Sequence, residues 1–157
     1  MSIEKVREFL RPLGLADKVM EFPVSSATVA LAAEALGVEP GRIAKSLSFA
    51  CGEGCMVVVT AGDARISNRK FRDRFGFKAK MLTPEQALAL TGHAVGGVCP
   101  FALPEGTAVY CDESLRRYAT VFPACGSSNS AIELTPERLA EICGAEWADL
   151  CRAPDEE

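Results

Sequence analysis

Apolar residues at Ile3, Val6, Phe9, Leu10 and Leu13 recur at helical spacing and stop at Gly14, which predicts an opening amphipathic helix with a glycine cap. A short strand over Val19 to Phe22 follows. Ser25 or Ser26 is placed to cap a second helix whose apolar face carries Val29, Ala32, Ala33 and Leu36, ended by Gly37. Ile43 to Phe49 and Met56 to Thr60 are rich in branched and apolar residues and flank Cys51-Gly52-Glu53-Gly54-Cys55, so they predict a hairpin whose second strand is buried on both faces. Ser67 to Phe75 reads as a basic helix ended by Gly76. Thr83-Pro84-Glu85-Gln86 carries the cap, first-turn proline and capping-box glutamine of another helix, ending near Thr91-Gly92. Thr107 to Asp112, Tyr118 to Phe122 and Ser130 to Leu134 predict three strands. Thr135-Pro136-Glu137 opens a last helix to Cys143, and Trp147 and Leu150 pack a short terminal element. The strands outnumber a βαβ repeat, and short turns join several of them. The expectation is an α+β fold, one domain over residues 1–153, with a mixed, mostly antiparallel, curved and twisted sheet surrounded by helices.

Composition narrows the class without changing this picture. With 157 residues and 48% hydrophobic content the chain fills one continuous core, and a charged fraction of 24% argues against extended disorder, apart from an acidic tail at 154–157. No apolar run approaches the roughly 18 residues of a membrane helix. The charged start Met1-Ser2-Ile3-Glu4-Lys5 is unlike a secretory segment, so a cytoplasmic protein without membrane association is expected. Seven cysteines lack the paired spacing of a disulfide scaffold or zinc finger and read as buried thiols. The single histidine, His93, has no ligand-spaced neighbour, so no metal is expected.

Charge is segregated. The net charge is −4, yet residues 65–80 hold seven positive side chains (Arg65, Arg69, Lys70, Arg72, Arg74, Lys78 and Lys80) against one acidic residue, Asp73. This is either a solvated helix face or a surface that meets phosphates, with Arg69, Lys70 and Arg72 as the candidate contacts.

Lys45 is the anomaly of the hairpin. Alternation places it on the same face as Ile43 and Leu47, so it either snorkels from a sheet edge or presents a desolvated ammonium to a carbonyl oxygen or phosphate. Gly96-Gly97-Val98-Cys99-Pro100-Phe101 is either a plain turn or a loop whose N–H groups face an oxyanion. Gly126-Ser127-Ser128-Asn129 is either a polar turn or a second wall of the same pocket. Cys99 with His93 would suit a thiol nucleophile and its base. However, a separation of six residues does not itself bring the side chains together, and packing is the simpler role.

Taken in order, these marks resemble the YbaK/ProX family of prolyl-tRNA editing-like aminoacyl-tRNA deacylases. The resemblance runs from about Thr28 to Leu150. It rests on Thr28 to Val38 followed by Ile43-Ala44-Lys45-Ser46-Leu47, on the Gly96-Gly97-x-x-Pro100 loop, and on Gly126 to Leu134, with 51 residues from Lys45 to Gly96 and 30 from Gly96 to Gly126. It implies a curved, barrel-like sheet and hydrolysis of the ester between a wrong amino acid and the tRNA 3′ end, without metal, cofactor or protein nucleophile. The tRNA for proline is the expected carrier and a prolyl-tRNA synthetase a candidate partner. The resemblance assigns Lys45, Gly96 and Gly97 to catalysis, and Thr28, Pro100, Phe101, Gly126 and Ser127 to the substrate. A non-catalytic aminoacyl or nucleotide binder that regulates a partner, and a Cys99-dependent hydrolase, are the rival readings.

Overall fold

The computed structural model describes residues 2–152, so the acidic tail expected at 154–157 lies outside the described residues. Helix α1 (Ser2–Leu10) buries Ile3, Val6 and Leu10. It stops three residues short of the expected end because Pro12 cannot donate the next helical hydrogen bond; a single 3-10 turn, Arg11–Leu13, carries the chain to Gly14. Strand β1 (Met20–Glu21) is short, and α2 (Val29–Leu36) follows. Its cap is Thr28, whose hydroxyl accepts from Leu31 N–H, in place of the expected Ser25 or Ser26. Ser26 is drawn elsewhere: its N–H donates to the Ser128 carbonyl at 2.6 Å.

The centre is the expected hairpin of β2 (Ile43–Cys51) and β3 (Gly54–Ala61), antiparallel in register from Ala44 opposite Ala61 to Cys51 opposite Gly54. Val57, Val58 and Val59 are fully buried, as a strand covered on both faces requires. After β3 come β4 (Arg65–Ile66), α3 (Asn68–Phe75) and α4 (Pro84–Thr91); the Thr83/Gln86 capping box forms as the sequence predicts, and Ser67, expected inside α3, is its cap. Next are β5 (Ala108–Asp112), β6 (Phe122–Pro123), β7 (Ser130–Ala131), α5 (Pro136–Cys143), β8 (Glu146–Ala148) and β9 (Cys151–Arg152).

The five-stranded sheet has the order β6-β2-β3-β5-β8, and two short antiparallel ribbons, β1 with β7 and β4 with β9, flank it. The sheet is mixed and curled, as expected. Within it, however, only β2–β3 is antiparallel; β2–β6, β3–β5 and β5–β8 run parallel, so the antiparallel majority does not hold inside the main sheet. The reason is the connections. The long segments carrying α3 and α4, and later α5, return the chain to the same end of the sheet, and only the two-residue hairpin reverses it. The strands expected over Tyr118 to Phe122 and Ser130 to Leu134 shrink to two-residue ladders plus a single bridge between Val121 and Leu134.

The core lies on both faces of the hairpin. Val57, Val59 and Ala44 pack with α1 and α5, while Phe49, Met56 and Val58 pack with Phe71 and Leu150. Phe71 ties α3 down, with ring centroids 5.0 Å from Phe49 and 4.7 Å from Phe75. A fully buried phenylalanine contributes about 1.5–3 kcal/mol, enough to hold a helix whose remaining faces are basic.

Candidate functional site

Lys45 stands where β2 loses its outer neighbour. β6 pairs only with Ile43 and Ala44, so from Lys45 onward that edge of the sheet is open until the segment Lys80 to Leu82 closes it. The ammonium donates to the Ala64 carbonyl at 2.6 Å, in the turn after β3, which leaves two of its three protons for a ligand. Burial pushes the Lys45 pKa below the ordinary lysine value; Arg65 adds to that shift and Asp63 opposes it. A snorkelling lysine would keep its head in water. This one gives up much of its hydration, and a carbonyl oxygen or phosphate can replace it.

Lys45 separates two hollows. On one side is a cavity of about 190 Å³ walled by Thr28 and Val29 of α2, Ser46 and Ser48 of β2, Gly96 and Val98, and Ala124 and Ser130. It is smaller than the roughly 300–1,000 Å³ of a site for a drug-sized ligand and suits a small group. On the other side a depression of about 580 Å³ meets it at Lys45 and Met81 and is lined by Asp63, Arg65 and Asn68. A third, of about 440 Å³, adjoins the second at Asn68 and Ala79 and is lined by Arg69, Arg72 and Lys78.

The two glycine loops meet, as the site requires. A Cβ on Gly97 would lie 2.8 Å from Gly126 C and from Ser127 N, so only glycine lets the loops touch. Gly96 takes φ +95° and places its main chain beside Ala27 and Ser128. The sequence assignments therefore divide into two layers. Lys45, Gly96 and Thr28 line the cavity, whereas Gly97, Gly126 and Ser127 stand behind it as the contact between loops. The Gly97 N–H already donates to Ala94 O at 2.9 Å, which removes it as an oxyanion donor; Gly96 and Val98 are the loop residues facing the cavity. Ser127 Oγ lies 2.9 Å from Asn129 Oδ1 and 2.8 Å from Ser130 Oγ, its one proton serving either, so it braces its own loop. Pro100 and Phe101 are buried, Phe101 completely and within the core beside α1, so both shape the loop from beneath and neither lines the cavity.

The fold does bring His93 and Cys99 together, which their spacing alone did not require: Nε2 is 3.5 Å from Sγ. Both are fully buried and neither lines the cavity. Nε2 also lies 2.8 Å from the Phe101 carbonyl, which assigns it the proton and leaves Nδ1 without a partner. Burial raises the Cys99 pKa to about 12 and lowers that of His93, the opposite of an activated thiolate and its base.

The basic helix divides as well. Lys70 is committed to Asp149 at 3.1 Å and the Cys151 carbonyl at 2.9 Å, which makes it a strut between α3 and the C-terminal strand. Arg74 pairs with Glu146 at 3.0 Å. Arg69 and Arg72 instead line the third depression with Lys78. Sequence reasoning missed Ser46, Ser48 and Met81. The first two carried a signal, polar residues alternating with Lys45 on a strand; Met81 carried none.

The profile of the aminoacyl-tRNA editing domain matches residues 24–142, and the chain belongs to that family. It is 54% identical over 155 residues to the uncharacterized protein YwhH of Bacillus subtilis (strain 168), covering 97% of this chain and 98% of that one. It is 29% identical over 120 residues to a protein of Enterococcus faecalis provisionally named Cys-tRNA(Pro)/Cys-tRNA(Cys) deacylase EbsC, covering 75% of this chain and 73% of the other. A crystal structure described provisionally as a trans-editing enzyme for prolyl-tRNA synthetase superposes with a TM-score of 0.88 at 35% identity, over 97% of this chain and 98% of that one.

Proposed function

We propose that this chain is a trans-acting deacylase that hydrolyses the ester joining a wrong amino acid to the 3′ end of the tRNA for proline. The observation that carries the reading is the half-buried Lys45 ammonium at the junction of a small cavity and a larger basic track. The names borne by the similar proteins point to the same substrate and to prolyl-tRNA synthetase as the partner whose errors are removed. A synthetase pocket gains only about 1–3 kcal/mol of discrimination per methylene, so a second site has work to do.

In this reading the aminoacyl group enters the small cavity and the terminal nucleoside occupies the second depression. The preceding phosphates lie over Arg69, Arg72 and Lys78. Lys45, held by Ala64, turns its remaining protons toward the ester carbonyl or the terminal phosphate. Water attacks the carbonyl carbon, the developing oxyanion is met by Lys45 and by main-chain N–H groups at Gly96 and Val98, and the ribose oxygen leaves with a proton.

The test is deacylation of a panel of mischarged tRNAs. Lys45→Ala is expected to lower kcat by about 10²–10³, the usual cost of a lost oxyanion donor. Cys99→Ala should keep wild-type rates. A wild-type protein that releases no amino acid would favour a binding role, and a dead Cys99→Ala with an active Lys45→Ala would restore the thiol mechanism.

A further inference from the structure

On β2, Lys45, Leu47 and Phe49 take one face, and Ala44, Ser46 and Ser48 take the other, where Ser46 and Ser48 line the small cavity. The Ser46 hydroxyl is buried and has no hydrogen-bond partner. Of the other hydroxyls around the cavity, Ser48 Oγ makes no hydrogen bond either, whereas three are engaged. Thr28 Oγ1 accepts from Leu31 N–H, Ser26 Oγ donates to the Ser128 carbonyl at 3.3 Å, and Ser130 Oγ accepts from Cys125 N–H and from Ser127 Oγ.

The main chain at Ser46 is equally unoccupied on the open edge. The Ser48 carbonyl accepts from Leu82 N–H at 3.1 Å and the Ala50 N–H donates to the Lys80 carbonyl at 2.8 Å, so even-numbered residues of β2 aim their polar groups at this edge. Ala44 is covered by β6 through Pro123. Ser46 thus falls in the gap between the end of β6 and the Lys80 to Leu82 segment, with its N–H and carbonyl on the open edge and its hydroxyl buried just behind the cavity wall.

From this arrangement we propose that Ser46 selects the amino acid to be removed: its main chain orients the aminoacyl group and its hydroxyl binds a hydroxyl on the substrate side chain. The preferred substrates are then seryl and threonyl esters, with cysteinyl esters weaker because a thiol is a poor hydrogen-bond partner, and alanyl esters weakest. This rests on the deacylase reading above and adds the class of side chain to it. A buried hydroxyl without a partner costs about 1–3 kcal/mol, a cost that an alkyl side chain leaves in place and a hydroxyl relieves. A wholly apolar pocket separates a methyl from a hydroxymethyl group poorly, whereas a site built to hydrogen-bond the hydroxyl rejects the analogue that lacks it. The same rule protects the correct product, because the proline ring has no polar atom beyond its amine to offer Ser46.

The test has two arms. In the first, kcat/KM is measured for seryl-, threonyl-, cysteinyl- and alanyl-tRNA for proline with the wild type and with Ser46→Ala. The wild type should favour serine over alanine by about tenfold or more, equivalent to about 1.4 kcal/mol, and Ser46→Ala should bring that ratio within about threefold. In the second, calorimetry measures binding of the non-hydrolysable seryl and alanyl amides of 3′-amino-3′-deoxyadenosine to the same two proteins. A serine preference in binding that Ser46→Ala erases supports the inference even if no ester is cleaved, and that combination would count against the deacylase reading alone. Equal binding of the two amides by the wild type, or an equal loss of both with Ser46→Ala, overturns it. Thermal melting guards the variant: removal of an unpartnered buried hydroxyl should leave Tm unchanged or raised.

Discussion

At the scale of single residues, the site depends on contacts that tolerate no added atom. Gly97→Ala would drive a Cβ to 2.8 Å from the main chain of the facing loop, and backbone atoms there cannot swing aside as a flexible side chain can. We expect a loss of about 1–3 kcal/mol, hence a Tm lower by at least about 2 °C, together with a fall in deacylation as Gly96 shifts; an unchanged Tm would mean the loops do not touch. His93 supplies a second prediction, on pH. Its pKa is lowered in the fold, chiefly by burial, so the unfolded chain binds its proton more readily, and the stability held by the neutral ring is complete above about pH 6.5 and is lost as pH falls below that value. Urea unfolding at pH 7.5 and 5.5 should show a larger loss for the wild type than for His93→Gln. Equal losses would place the imidazole in water. The sequence offered the two glycine loops as walls of one pocket, but neither the direct contact of Gly97 with Ser127 nor the meeting of His93 with Cys99, because a loop contact leaves no periodic trace.

At the scale of elements, the local signals were written where they act. The Thr83 cap, the glutamine of the capping box, and glycine ends at Gly37, Gly76 and Gly92 match the sequence because a helix end is decided by the few residues that satisfy its own free N–H and C=O groups. The Ser25/Ser26 cap was misplaced for the converse reason: Ser26 gives its N–H to Ser128, more than a hundred residues away. A buried joint between elements is Asp112, 1% exposed, whose carboxylate accepts from Ser114, Leu150 and Cys151 N–H at 2.9, 2.7 and 3.1 Å. Asp112→Ala strands the two buried donors that lead into β9 and should cost about 3–5 kcal/mol, with Asp112→Asn costing less because one acceptor oxygen remains. Chemical denaturation would measure both. A loss below about 1 kcal/mol would show that water reaches those donors.

At the scale of the whole molecule, three hollows adjoin one another, from the small cavity past Lys45 to the arginines of α3, and the proposed substrate would follow that line. Replacing Arg69 and Arg72 with Glu should weaken tRNA binding and reduce the slope of log K against log salt by about 2, less for a single-stranded end, while Lys70→Glu should mainly lower Tm by breaking its strut to Asp149. A salt slope unchanged by Arg69/Arg72→Glu would move the RNA to another face. By itself the chain determined its helices, its central hairpin, the outward crowding of positive charge and the anomaly of Lys45, since each follows from periodicity, capping chemistry and charge within a few residues. Only the tertiary structure decided which groups share the cavity, that Phe101 and Pro100 support it from below, that Lys70 is a strut, and that Ser46 faces an open sheet edge. Those facts arise where β6 stops and distant loops close on one another, and burial and hydrogen-bond partners across such distances are set by the packing of the whole sheet and not by any local run of residues.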